Sequence, residues 1–90
     1  MRVALVAKDK AGALQTRLDN RADHVAHLKA SNCVEMAGPL LNDAEEMCGS
    51  LIILDVADMA EAEAFVAGDP YGKAGLFESV ELTAWNKVIG

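Results

Sequence analysis

The chain reads as one α+β domain with the element order βαββαβ. Two short apolar runs, at residues 2–7 and 50–56, have the length and β-branched content of strands. From Leu14 the apolar spacing changes to that of a helix, and a capping-box pair at Asp58 and Glu61 opens a second helix. Ninety residues suit a single domain, since a chain of this size buries only about 60 to 65% of its unfolded surface. Residues 1–90 carry no low-complexity tract or Ser/Pro-rich linker, so they are taken as one unit.

The first strand, residues 2–7, stops at the polar Lys8, Asp9 and Lys10. Leu14, Leu18, Ala22, Val25 and Leu28 then recur at helical spacing and predict one apolar stripe, with Ser31 and Asn32 ending the helix. Residues 33–37 predict a short second strand, broken at Gly38 and Pro39 because proline lacks the amide a ladder needs. Residues 40–49 read as a connection. Residues 50–56, with Leu51, Ile52, Ile53 and Leu54 in a row, form the strongest strand signal. The second helix directs Ala62, Phe65 and Val66 inward and ends at Gly68, Asp69 and Pro70. Within residues 77–88, Val80, Leu82 and Ala84 alternate with Ser79, Glu81 and Thr83 as a last strand.

The commonest realisation of this order is the ferredoxin-like fold: four antiparallel strands with both helices on one face. The first and third strands are apolar on both faces, which two helices on one side cannot cover. A second copy of the chain is the simplest cover, so a homodimer or higher homo-oligomer is expected, with its interface on the sheet face opposite the helices.

Composition narrows the function. The formal charge of −6, with no clustered basic stretch, argues against a nucleic-acid partner. The N-terminal apolar run meets charge too early for a signal sequence or a span of about 20 apolar residues, so a cytoplasmic protein with no membrane partner is expected. Cys33 and Cys48 make no disulfide framework and have no second ligand at metal spacing; both read as reduced, packed thiols, and no metal is expected. Residues 72–75 match neither dinucleotide nor P-loop patterns, and no cofactor is expected. Asp43, Glu45 and Glu46 read as a solvated loop, and Met36, Met47 and Met59 as packing residues.

On a helical wheel Arg17, Arg21, His24 and Leu28 share one edge of the first helix, while His27 points to solvent. Arg21 lies almost within the apolar stripe; either its head snorkels to water or this edge faces a cleft. Histidine exchanges protons near neutrality, so His24 is the candidate acid or base, and the alternative is a half-buried surface histidine. A base of this kind needs an orienting acceptor. Asp69, ahead of Pro70 and Tyr71, can supply it or can serve only as a turn residue bonded to its own backbone.

These residues together resemble the YciI-like family. The segment from Arg21 through Ala22, Asp23, His24 and Val25 to Leu28 is similar to the family's R-P-x-H-L-x-x-L. The resemblance continues in Ala37, Gly38 and Pro39, in Gly49 and Ser50, in Asp69, Pro70 and Tyr71 followed by Ala74 and Gly75, and in the last strand, covering nearly the whole chain. Ala22 stands in place of the family's proline, Val25 in place of its leucine, and the connection at 40–48 is shorter than in many relatives, so one pocket wall is expected to differ. The resemblance implies a dimeric α/β barrel of two ferredoxin-like units, with a pocket near a His and an Asp that map to His24 and Asp69. It implies small cyclic or aromatic substrates and, in one branch, dehydrochlorination.

The expected function is therefore cofactor-independent proton transfer, by elimination or isomerisation, on a small, cyclic, anionic compound. His24 and Asp69 are the expected catalytic pair, with Arg21, Gly38, Pro39, Ser50, Pro70 and Tyr71 around the substrate. A non-catalytic dimeric binding or accessory protein using the same pocket is the alternative, and loss of turnover on changing His24 to alanine separates the two.

Overall fold

The computed structural model describes all residues, Met1–Gly90. Its elements are β1 (Arg2–Asp9), α1 (Leu14–Ala30), β2 (Val34–Leu41), β3 (Met47–Asp55), α2 (Met59–Gly68), the single turn α3 (Pro70–Lys73) and β4 (Phe77–Trp85). The sheet order is β2-β3-β1-β4 and every pairing is antiparallel, the ferredoxin-like arrangement. Alternate residues of the central strands, Val3, Leu5 and Ala7 of β1 and Ile52 and Leu54 of β3, are buried in one core with Ala62 and Phe65 of α2, and Leu28 of α1 packs against it. The helices thus lie on this face.

The other face is also apolar and has no layer over it within the chain. Ala4 and Val6 are half-buried, while Met36 and Leu51 are 53% and 41% exposed. No helix is long and apolar enough to cross a membrane.

Four expectations are corrected. First, β2 runs straight through Gly38 and Pro39, because it is an edge strand that pairs only with β3 and can lose one ladder donor on its outer side. Second, residues 40–49 are not a loose connection. Strands β2 and β3 close into a hairpin whose turn is set by Asn42, which accepts hydrogen bonds from the amides of Ala44 and Glu46 at 2.9 and 3.0 Å. Third, the inward face of α1 is not the expected stripe: Leu18 is 48% exposed and Ala22 is exposed, whereas Arg17 and His24 are buried. Polar groups occupy that face because each finds a fixed partner. Fourth, His27 does not point to solvent; its Nε2 lies 3.1 Å from the carbonyl oxygen of Phe65, and its ring packs on the Phe65 ring.

The helix signals held. Asp58 accepts from the amide of Glu61 at 2.9 Å and Glu61 accepts from the amide of Ala57 at 2.9 Å, so the paired carboxylates fix the start of α2. Asn32 adopts a left-handed φ of 60° just beyond α1.

Gly49 positions the site. A Cβ there would collide with the carbonyl oxygen of Ala7, so only glycine lets β3 approach β1 at the point where Ser50 turns toward the helices. Gly49→Ala is expected to destabilise the protein by about 1–3 kcal/mol, as overpacking against backbone does. Urea unfolding checks this, and an unchanged midpoint would show that the strands can part there without cost.

Candidate active site

A pocket of about 140 Å³ opens between α1 and the β2–β3 hairpin. That is close to the 150 Å³ engineered cavity known to take one benzene ring. Its apolar lining includes Val25 and Leu28 of α1 and Pro39, Met47 and Ile52 of the hairpin, and its polar lining is Arg17, Arg21, His24, Ser50 and Tyr71.

Asp69 ends α2 and caps α3. Its Oδ1 accepts a hydrogen bond from the amide of Tyr71 at 3.0 Å and lies 2.7 Å from Nδ1 of His24, 45 positions away in sequence. The turn role and the orienting role are thus filled by one oxygen. With the carboxylate as acceptor, Nδ1 carries the hydrogen, and in the neutral ring Nε2 of His24 then keeps its lone pair. Both side chains are buried, with 6% and 2% of their residue surface exposed.

Tyr71 completes this wall. Its ring stacks on His24 with centroids 3.8 Å apart and planes 14° from parallel, and the Arg17 guanidinium lies 4.6 Å from the ring centroid. Burial pushes the Tyr71 phenol above its ordinary value, and the Arg17 charge opposes this without cancelling it. Since the folded value is the higher one, the contribution to stability is complete below about pH 10, the unfolded value, and is lost as pH rises through the folded value. Thermal stability is therefore expected to fall more steeply above about pH 10 in the wild type than in Tyr71→Phe. Parallel curves would remove the phenol as the cause.

Arg17 is the residue that sequence reasoning undervalued. Its Nε and Nη2 donate to the two carboxylate oxygens of Asp9 at 2.7 and 3.0 Å, and Nη2 also donates to Oγ of Ser50 at 3.0 Å. Burial works against the charge, but the hydrogen bond and charge of Asp9 outweigh it and hold the guanidinium above its ordinary value. A usable signal was present: Arg17 stands seven residues before His24, two helical turns along the same face, and Asp9 closes the strand just ahead.

The other candidates divide. Arg21 lines the pocket from an exposed position and has no carboxylate in ion-pair range, so it is the unneutralised cation there. Gly38 and Pro39 line the pocket from the edge strand, and Ser50 from β3. Pro70 does not line it; as the first residue of α3 it fixes the turn that presents Tyr71. Cys33 is buried and Cys48 half-buried, both as free thiols, and neither lines this pocket. No group of three or more His, Cys, Asp or Glu side chains is placed to hold a metal ion.

A ferredoxin-like domain with a buried His–Asp pair beside a ring-sized pocket defines a narrow class. The chain belongs to the family of the YCII-related domain, whose model matches residues 1–86. It is 33% identical to Protein YciI of Escherichia coli O6:H1 over 98 aligned positions, covering 99% of this chain and all of that protein. Among solved structures it is similar to 5-chloro-2-hydroxyhydroquinone dehydrochlorinase (TftG) from Burkholderia phenoliruptrix AC1100, determined in complex with 2,5-dihydroxybenzoquinone. That likeness has a TM-score of 0.88 and 35% identity over 96% of this chain and 94% of that one. Rv0793 from Mycobacterium tuberculosis, with a TM-score of 0.67 and 8% identity over the full length of both chains, shares the fold alone.

Proposed function

We propose that this protein is a small enzyme that moves a proton on a cyclic, oxygen-rich, anionic compound and thereby eliminates a leaving group such as chloride or isomerises the ring. One observation carries the reading: the Asp69-held His24 lies in the wall of a pocket the size of one ring, leaving Nε2 without a hydrogen-bond partner in the protein. The likeness to the dehydrochlorinase supports elimination.

In the keto tautomer of a chlorinated hydroxyquinol the carbon bearing chlorine is tetrahedral. His24 Nε2 takes the proton of a conjugated ring hydroxyl, the O–H electron pair becomes a carbonyl, and the shifted π electrons expel chloride. One proton and one chloride leave, and no oxidant or reductant is required. Asp69 stabilises the imidazolium formed in this step. Arg21, the unpaired cation, draws an anionic ring to the pocket, and the stacked Tyr71 ring supports the wall.

The test is chloride release from a panel of chlorinated hydroxyquinols, measured with wild-type protein and with His24→Ala. Release by the first and not the second supports the reading. Binding without release by either assigns the pocket to a non-catalytic binding or accessory protein.

Its partner, in this reading, is a second copy of itself, placed on the apolar sheet face that carries Met36, Leu51 and Trp85. Light scattering at micromolar concentration is expected to give at least twice the chain mass of 9.5 kDa. A monodisperse monomer would contradict it. The reading includes a cytoplasmic setting and no nucleic-acid or membrane partner.

A further inference from the structure

We infer that Ser50, backed by the buried charge of Arg17, forms an oxyanion site in the pocket that His24 also lines, so that the substrate must carry a ring oxygen able to take up negative charge as the proton leaves. The inference deepens the proton-transfer reading and rests on it.

The hydrogen-bond chemistry of Ser50 has one solution. Arginine only donates, so Oγ of Ser50 must accept from Nη2 of Arg17 at 3.0 Å. The hydroxyl hydrogen of Ser50 is left uncommitted, because the structure gives that hydroxyl no acceptor. Ser50 is 2% exposed and its remaining access is to the pocket it lines. The hydroxyl is therefore a donor toward the ligand, polarised by the charged group behind it.

Arg17 supplies the charge behind that donor. Its Nε and Nη2 are spent on Asp9 and Ser50, and the guanidinium also engages the Tyr71 side chain. Arg17 lines the same pocket as Ser50. Asp9 is a positioning residue: it grips the guanidinium through two oxygens and fixes the fork. A preorganised donor backed by a buried charge is what a developing oxyanion requires.

The polarity of the pocket is thus split. The neutral His24 ring presents a lone pair and requires a proton from the ligand, whereas Ser50 presents a hydrogen and requires an acceptor. A ring with an acidic hydroxyl conjugated to a carbonyl satisfies both ends. A plain hydrocarbon ring satisfies neither.

The experiment is calorimetric titration of wild type and Ser50→Ala with 2,5-dihydroxybenzoquinone, rich in acceptor oxygens, and with p-xylene, which has none. Circular dichroism and thermal melting confirm that the variant is folded. Where a chlorinated hydroxyquinol is turned over, kcat and KM are measured on the same samples. Ser50→Ala is expected to weaken the quinone about tenfold or more, the value of a hydrogen bond to a charged group, and to change p-xylene by less than about threefold. It is expected to lower kcat more than it raises KM, since the oxyanion develops on the way to the transition state. Equal losses for both ligands, no loss for either, or a wild type that does not bind the quinone would overturn the inference. Unchanged kcat in Ser50→Ala would remove the oxyanion site while leaving His24 as the base. The expected binding difference without turnover of any chlorinated ring would leave the oxyanion site standing and remove the proton-transfer reading.

Discussion

Replacing His24 by alanine is expected to lower the rate of chloride release by about 10²–10⁴, the usual contribution of a positioned general base. The fold should survive, because His24 is held by one side-chain bond to Asp69 and one stacking contact with Tyr71, while the main core lies on the central strands and α2. Asp69→Asn gives a sharper test. An amide oxygen can keep both bonds now made to Oδ1, from the Tyr71 amide and from His24, so α3 stays capped and the imidazole keeps its tautomer. Only the negative charge that stabilises the imidazolium is lost. Asp69→Asn is therefore expected to lower kcat while the melting temperature changes little, and a variant with full kcat would show that Asp69 serves the turn alone. Steady-state chloride release beside a thermal melt of each variant decides it.

The largest expected effect on stability is at Asp9. Asp9→Asn leaves the Arg17 guanidinium at 2% exposure without its counter-charge, and breaking one half of a buried pair costs about 3–5 kcal/mol. The same size of loss is not expected for Asp23→Asn, on the exposed side of the same helix, where no ion pair is made. Denaturant unfolding of the two variants gives the comparison. Equal, small losses would mean that water reaches Arg17 and that the pair contributes little to the fold.

The architecture was legible in the sequence because local signals and tertiary packing agree over most of it. The two-fold apolar alternation of β1 and β3 and the reciprocal Asp58 and Glu61 cap each specify one conformation. Legibility failed where a partner far along the chain decides the outcome. Pro39 reads as a strand breaker until β2 is known to be an edge strand. Leu18 reads as core, and Arg17 as its polar flank, until Asp9 and Ser50 supply fixed bonds that make the arginine the inward residue. The contact between His24 and Asp69 was within reach of the sequence through the family resemblance and the element order, whereas the bond from Arg17 to Ser50 had no local signature. The single-turn α3 was also missed, since Pro70 within a turn signal gives no helical period to read.

The most direct test of the His24–Asp69 site is a crystal structure of the protein with 2,5-dihydroxybenzoquinone bound. The ring is expected in the pocket between α1 and the β2–β3 hairpin, with one oxygen within hydrogen-bond reach of Nε2 of His24 while Nδ1 stays on Asp69. A ring bound outside this pocket, or bound in it with His24 turned away from both Asp69 and the ligand, would contradict it.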